Sequence, residues 1–289
     1  MPRPNNLSTN IFLDSGDPEE TRQTIEMLGF LDGQTTNPSL IAKNPEAQKR
    51  IASGSKFSTE EVSEFYKKQV TDVAGLIPGG SVSVEVYADN TTTENNMLAQ
   101  AREMYTWIPN AHIKFPTTVA GLEAAERAIA EGMRVNMTLV FSQEQAAAVY
   151  AATRGASKGD VFVSPFAGRL DDVGMNGMDL IKNINTMYKE SDGHVEVLAA
   201  SIRNSDHLMT AFAMKTDIVT VPFKILKEWV DGGMRVPDDS YVYDVAALNP
   251  IEYEPIKLHT DWRSYNISHE MTDAGLEKFV QDWHTLVAQ

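Results

Sequence analysis

Cysteine is absent from all 289 residues. This excludes disulfides and any zinc site built on thiolates, and it leaves the redox compartment undetermined. Positive charge is scarce: 25 Lys and Arg stand against 40 Asp and Glu, for a net charge of −15. A nucleic-acid backbone needs a basic surface, so it is not expected as the main partner. A small phosphate ligand stays open, because an arginine pair acts at contact range while remote charge is screened beyond about 8 to 10 Å. No apolar run approaches the roughly 20 residues of a membrane span, and the opening MPRPNNLSTN lacks the apolar centre of an export signal. Cytoplasm is therefore the expected location, with no membrane partner. The six histidines show no HxH or HExxH spacing, and no glycine-rich dinucleotide loop sits at a strand-to-helix turn. Neither a metal nor a nucleotide cofactor is expected.

What is present is alternation. NIFLDS from Asn10 ends in Asp14, and Asp17-Pro18-Glu19 caps a helix running to about Leu28. Gly33 to Asn37 reads as a brief strand stopped at Pro38, and residues 44 to 60, rich in Pro, Ser, Gly and Lys, as a surface loop before a helix from Glu61 to Leu76. In SVSVEVY, Val82, Val84 and Val86 alternate with Ser81, Ser83, Glu85 and Tyr87. Alone, that pattern equally describes a half-exposed antiparallel strand. Strand-like runs at 112–116, 134–140, 160–166, 196–201 and 217–223 then interleave with helical ones at 93–106, 117–131, 142–154, 175–188, 204–213 and 224–230. Eight strands each followed by a helix predict a (β/α)8 barrel over residues 1–231. Residues 232–289 form an extension without sustained period until a final amphipathic helix, 272–287, capped by Thr272 or Asp273. Its apolar face, Leu276, Phe279, Val280 and Trp283, is expected to cover the barrel or a neighbouring subunit of a homo-oligomer.

In a closed barrel the helices cover the outer face of each strand, so the apolar set points outward and the polar set inward. The stretch AHIKFPT, 111–117, sends Ile113 and Phe115 outward and Lys114 inward, at the strand end where such barrels place their chemistry. Val135, Met137, Leu139 and Phe141 share one parity, leaving Asn136 and Thr138 inward; Ser164 and Phe166 turn in from DVFVSPF; Ser201 and Arg203 share a parity at the end of EVLAASIR. Asp14, Asn37 and Glu85 complete the set. A barrel without a task would fill such positions with Val, Ile and Leu, because burying polar groups costs free energy. Single Ser or Thr residues can still do no more than bond one another.

A lysine held among apolar neighbours gives up its proton more readily and can attack a carbonyl to form a Schiff base. The iminium is an electron sink that weakens the bond beta to it, and Asp14 is placed to accept the departing hydroxyl's proton. Glu85 and Thr138 could hold the water that imine formation and hydrolysis require. Asn37, Asn136 and Ser164 suit hydroxyls, so the ligand resembles a polyol. Arg169 and Arg203 fall just past the sixth and seventh strands, where a pair can grip a phosphate bidentately, although arginines there can also be surface charges.

LDGQTTNPSL, IKFPTT, RVNMTLVFS, VSPFAGRLDD, ASIRN and VPFKIL, in this order and spacing, closely resemble the transaldolase family of class I aldolases, from about Asn10 to Trp229. The segment from about 232 resembles only the longer bacterial members. The resemblance implies a ping-pong transfer in which a ketose phosphate, such as fructose 6-phosphate or sedoheptulose 7-phosphate, leaves a dihydroxyacetone unit on Lys114. It further implies Asp14 as acid/base, Glu85 with Thr138 at the catalytic water, Thr35, Asn37, Ser83, Asn136, Ser164 and Phe166 around the donor, and Arg169, Ser201 and Arg203 at the phosphate. Related fructose-6-phosphate aldolases look like having Gln at Glu85 and Tyr at Phe166, so this sequence favours transfer over release. An aldolase, an enzyme acting on sulfonated sugars and a non-catalytic sugar-phosphate binding barrel are the alternatives.

Overall fold

A computed structural model describes residues 2–245 and 247–288. Among them eight strands, all parallel, close into a barrel in chain order: β1 (Asn10–Asp14), β2 (Gly33–Thr35), β3 (Ser81–Glu85), β4 (Ala111–Pro116), β5 (Val135–Val140), β6 (Val161–Pro165), β7 (Val195–Ala199) and β8 (Ile218–Val221), with β8 paired to β1. The surrounding helices are α1 (Pro18–Leu28), α2 (Pro38–Lys43), α3 (Pro45–Ala52), α4 (Thr59–Leu76), α5 (Glu94–Tyr105), α6 (Val119–Ala130), α7 (Gln143–Ala152), α8 (Ala167–Asp171), α9 (Gly177–Met187), α10 (Ser205–Ala213), α11 (Phe223–Asp231) and α12 (Glu270–Leu286). The expected (β/α)8 barrel with a C-terminal helix is what the chain forms.

The sequence selects these elements by two devices. Outward valines and isoleucines, such as Val82, Val84 and Ile113, are fully buried against the helical shell. Side-chain caps then start most helices; Asp17, Asn44, Ser58, Thr93, Thr118 and Ser142 each accept a backbone N–H from the first turn. Capping also overturns one expectation. Residues 44–60 are not all loop, because Asn44 accepts from Glu46 N at 2.8 Å with Pro45 at the first helical position, so proline begins α3.

The lower end of the barrel is plugged by rings. Phe12 meets Phe162 edge-on at 5.8 Å, and His112 stacks on Phe162 at 4.1 Å. Gly33 makes room, since a Cβ there would lie 2.5 Å from the Phe12 ring. Above the plug the inward residues are polar.

The extension climbs the outside of the barrel and returns over its mouth. Asn249 pairs with Gly174 and Asn176 beside α9, Glu254 exchanges hydrogen bonds with Gln143 of α7, and Trp262 is buried. The final helix begins earlier than expected, at Glu270, with His269 as its cap. Thr272 is instead a tether: its hydroxyl donates to the Leu139 carbonyl at 2.9 Å and accepts from Gln145 at 2.8 Å. At the other end Asp282 accepts from Ser39 of α2, and Phe57 bridges to Val287. No helix among the described residues is long and apolar enough to cross a membrane.

Candidate active site

A cleft of about 830 Å³ opens at the C-terminal ends of the strands. Asp14, Thr35, Asn37, Lys114 and Ser164 line its floor, and Phe166, Arg169, Ser201 and Arg203 its rim. Ser83, Glu85, Asn136 and Thr138 stand behind them, buried in the barrel.

Register explains the central group. Lys114 on β4 is flanked by Glu85 on β3 and Asn136 on β5, so period-two alternation sends all three inward side by side. Lys114 Nζ lies 2.9 Å from Glu85 Oε2, with the two side chains 4% and 3% exposed. The approach is an ion pair outside hydrogen-bond geometry, for Glu85 Oε2 has no hydrogen-bond partner among the described residues. The ammonium donates instead to the Thr36 carbonyl at 3.1 Å. The apolar surroundings expected for this lysine are thus replaced by a carboxylate and a carbonyl. A buried ammonium held beside a carboxylate keeps its charge compensated.

Both carboxyls of the site are perturbed. Burial raises Glu85 above the usual carboxylate range, against the opposing charge of Lys114. Burial raises Asp14 too, partly offset by the Thr35 hydroxyl and by Lys114. Thr35 donates to Asp14 Oδ1 at 2.7 Å and lies 2.6 Å from the Thr220 hydroxyl, which must then donate to Thr35. Across the barrel, Ser164 donates to Asn136 Oδ1 at 2.6 Å and Asn136 Nδ2 donates to Ser83 at 3.0 Å. Asn37 lies beyond β2, where its Oδ1 caps α2 through Leu40 N and its amide nitrogen stays unused by that cap.

Thr138 sits where β5 breaks register. The pairing with β6 shifts between Met137 and Val140, and Leu139 adopts φ 59°, uncommon for a leucine. Strict alternation therefore fails at Leu139, which leaves the outward row and packs toward α12 near Gly275. The buried Thr138 hydroxyl finds no partner among the described residues.

The two arginines differ. Ser201 and Arg203 come from the loop after β7 rather than from the strand, with Ser201 at φ 59°, and Arg203 pairs with Asp172 at 2.8 Å in half-exposed surroundings. Arg169, on the short α8, makes no ion pair or hydrogen bond among the described residues; its guanidinium lies over the Phe166 and Phe279 rings at 4.9 and 5.1 Å. Gly168 lets the two loops touch, since a Cβ there would stand 2.2 Å from the Ser201 carbonyl oxygen.

Three contributors escape a reading by residue type. Thr220 is the single polar residue of IVTV and inward parity could have found it. Thr36 acts through its carbonyl, which carries no side-chain signal. Tyr66 on α4 accepts from Glu85 N at 2.8 Å and lies 2.6 Å from the Thr36 hydroxyl, bracing both residues that contact Lys114. No cluster of three or more His, Asp or Glu side chains that could hold a metal ion occurs among the described residues.

The sequence pattern of the family described as transaldolase/fructose-6-phosphate aldolase matches residues 11–289. The chain belongs to the transaldolase/fructose-6-phosphate aldolase family. Within that family, proteins named probable transaldolase are similar along their whole lengths. The one from Dehalococcoides mccartyi is 35% identical over 276 residues, covering 96% of this chain and 98% of its own. Those from Herpetosiphon aurantiacus and Thermoplasma volcanium are each 34% identical, covering 94% of both chains. The match reaches through the extension to residue 289, so the irregular tail is part of what the transaldolase/aldolase relatives share with this chain.

Proposed function

We propose that the enzyme transfers a dihydroxyacetone unit from a ketose phosphate, fructose 6-phosphate or sedoheptulose 7-phosphate, to an aldose phosphate through a Schiff base on Lys114. The observation that carries this reading is the buried Lys114–Glu85 pair beneath a mouth that also holds Asp14. An amine attacks only after losing its proton, and Glu85, whose burial favours the protonated acid, is the acceptor at hand. The freed amine adds to the ketone to give a carbinolamine. Glu85 then returns its proton to the departing hydroxyl, which leaves as water. An iminium remains opposite the Glu85 carboxylate, so the charge of the buried pair is preserved through the step.

Asp14, made more basic by burial, takes the proton of the hydroxyl on the carbon beta to the iminium carbon, the donor's fourth. The bond between the third and fourth carbons breaks, its electron pair moves toward the iminium nitrogen as an enamine, and an aldose phosphate leaves. The acceptor aldehyde reverses these moves, and Asp14 returns the proton to the new hydroxyl. Thr138, whose hydroxyl has no partner among the described residues, holds with Glu85 the water that leaves when the imine forms and returns to hydrolyse the product imine. Asn37, Asn136 and Ser164 hold hydroxyls; Arg169, Arg203 and Ser201 hold the phosphate. Thr35 supports Asp14, and Ser83 supports Asn136.

Incubation with fructose 6-phosphate and borohydride should leave a three-carbon adduct on Lys114 by mass spectrometry, and a Lys114→Met variant should carry none. A folded wild-type protein without that adduct overturns the reading. Release of free dihydroxyacetone is disfavoured by Phe166, whose ring offers no proton to the bound enamine. Turnover should accordingly depend on an added acceptor aldehyde, and Phe166→Tyr should raise acceptor-free release. Parallel trapping with a sulfonated hexose separates phosphate from sulfonate preference.

A further inference from the structure

We propose that α12 is a working wall of the anion site: Phe279 positions Arg169, Gly275 leaves the room for it, and the extension thereby sets the preference for phosphorylated substrates. This rests on the reading of Arg169 as a phosphate ligand.

Arg169 carries the only one of the two rim guanidiniums without a carboxylate partner among the described residues. An arginine with no partner normally samples many rotamers, and ordering it on a substrate costs conformational entropy. Here two aromatic faces hold the planar cation: Phe166, from the loop that enters α8, and Phe279, from the last helix of the chain. Ring contacts of this kind take up none of the guanidinium's N–H groups in a hydrogen bond, and those groups are what bind an anion bidentately. The clamp therefore pre-orders the cation without neutralising it.

Gly275 stands one helical turn before Phe279. A Cβ at this position would lie 2.5 Å from Arg169 Nη1 and 2.7 Å from Leu139 Cδ2. Both atoms are ends of flexible side chains, so an alanine would push the guanidinium aside without forcing apart the backbone. The helix itself cannot yield easily. It is tethered by Thr272 to the Leu139 carbonyl, by Asp282 to Ser39, and by Leu286 to Phe57 through the Phe57 N–H, which donates to the Leu286 carbonyl at 2.8 Å. A clamp mounted on a tethered helix keeps one geometry.

The test uses Phe279→Leu, Gly275→Ala and the conservative Phe279→Tyr. Calorimetric titration with inorganic phosphate needs no turnover. Affinity should fall about tenfold in Phe279→Leu and in Gly275→Ala and stay near wild type in Phe279→Tyr. In assays, the preference for erythrose 4-phosphate over unphosphorylated erythrose, as a ratio of kcat/KM, should shrink by a similar factor in the first two variants through KM. Equal losses for both aldehydes would reduce Phe279 to a packing residue and overturn the proposal. Unchanged phosphate affinity in a folded Phe279→Leu protein does the same, while leaving the lysine chemistry intact if the borohydride adduct still forms. A wild-type protein that traps the donor on Lys114 yet binds no phosphate also overturns it.

Discussion

The hydroxyl of Thr35 donates to Asp14 Oδ1 at 2.7 Å, and this one contact works against the burial that raises the Asp14 carboxyl. Thr35→Val removes the donor that favours the ionised form, so Asp14 should hold its proton to higher pH. If ionised Asp14 is the base for carbon–carbon cleavage, the acid limb of the kcat/KM profile moves upward in pH while the alkaline limb stays. An unmoved acid limb would assign that limb to another group.

Asp14→Asn should stabilise the fold at neutral pH. A carboxyl whose pKa is higher folded than unfolded contributes stability below its ordinary value of 3.8 and loses it as pH rises through the folded value. At pH 7, well above the ordinary carboxylate range, burying this carboxyl is a liability that asparagine lacks. Urea unfolding at pH 7 should show a gain of about 0.5–2 kcal/mol, typical of relieving a functional site. The gain should shrink as pH is lowered into the carboxylate range, and it should come with loss of turnover.

Thr138→Val should separate folding from chemistry. The buried hydroxyl has no partner among the described residues, so replacing it with a methyl group should cost little and can gain up to about 1 kcal/mol in urea. Accumulation of the borohydride-trapped adduct should slow by about a hundredfold, the scale of a lost acid–base or water-holding group. An adduct that forms at the wild-type rate would remove Thr138 from the mechanism.

Gly168→Ala should be costly where Gly275→Ala is not. At Gly168 the added Cβ meets the Ser201 carbonyl oxygen at 2.2 Å, and backbone rather than a side-chain tip must move. A loss of about 1–3 kcal/mol is expected, as for other overpacked sites. KM for phosphorylated substrates should rise with it, because the same contact joins the loops that carry Arg169 and Arg203.

The inward-facing residues were legible because a parallel barrel covers the outer face of every strand, which makes alternation in SVSVEV and AHIKFP a statement about inside and outside. That logic stops where the backbone departs from period two. Leu139, at φ 59°, leaves its row, and Ser201 and Arg203 lie beyond the strand whose parity was used to place them. Proline misled at Pro45, where it starts a helix after an asparagine cap. The contact between Phe279 and Arg169 had no local signal, since the intervening extension lacks any period from which its path could be drawn. Thr36 was equally hidden, because every residue has a carbonyl.

The plug of Phe12, His112 and Phe162 turns the barrel into a cul-de-sac. With the far end filled by rings and a tethered helix across part of the mouth, the cleft at the C-terminal ends of the strands is the opening that Lys114 lines. On the proposed transfer, the first aldose would leave by that cleft before a second enters, and an excess of the outgoing sugar should slow the incoming one by occupying it.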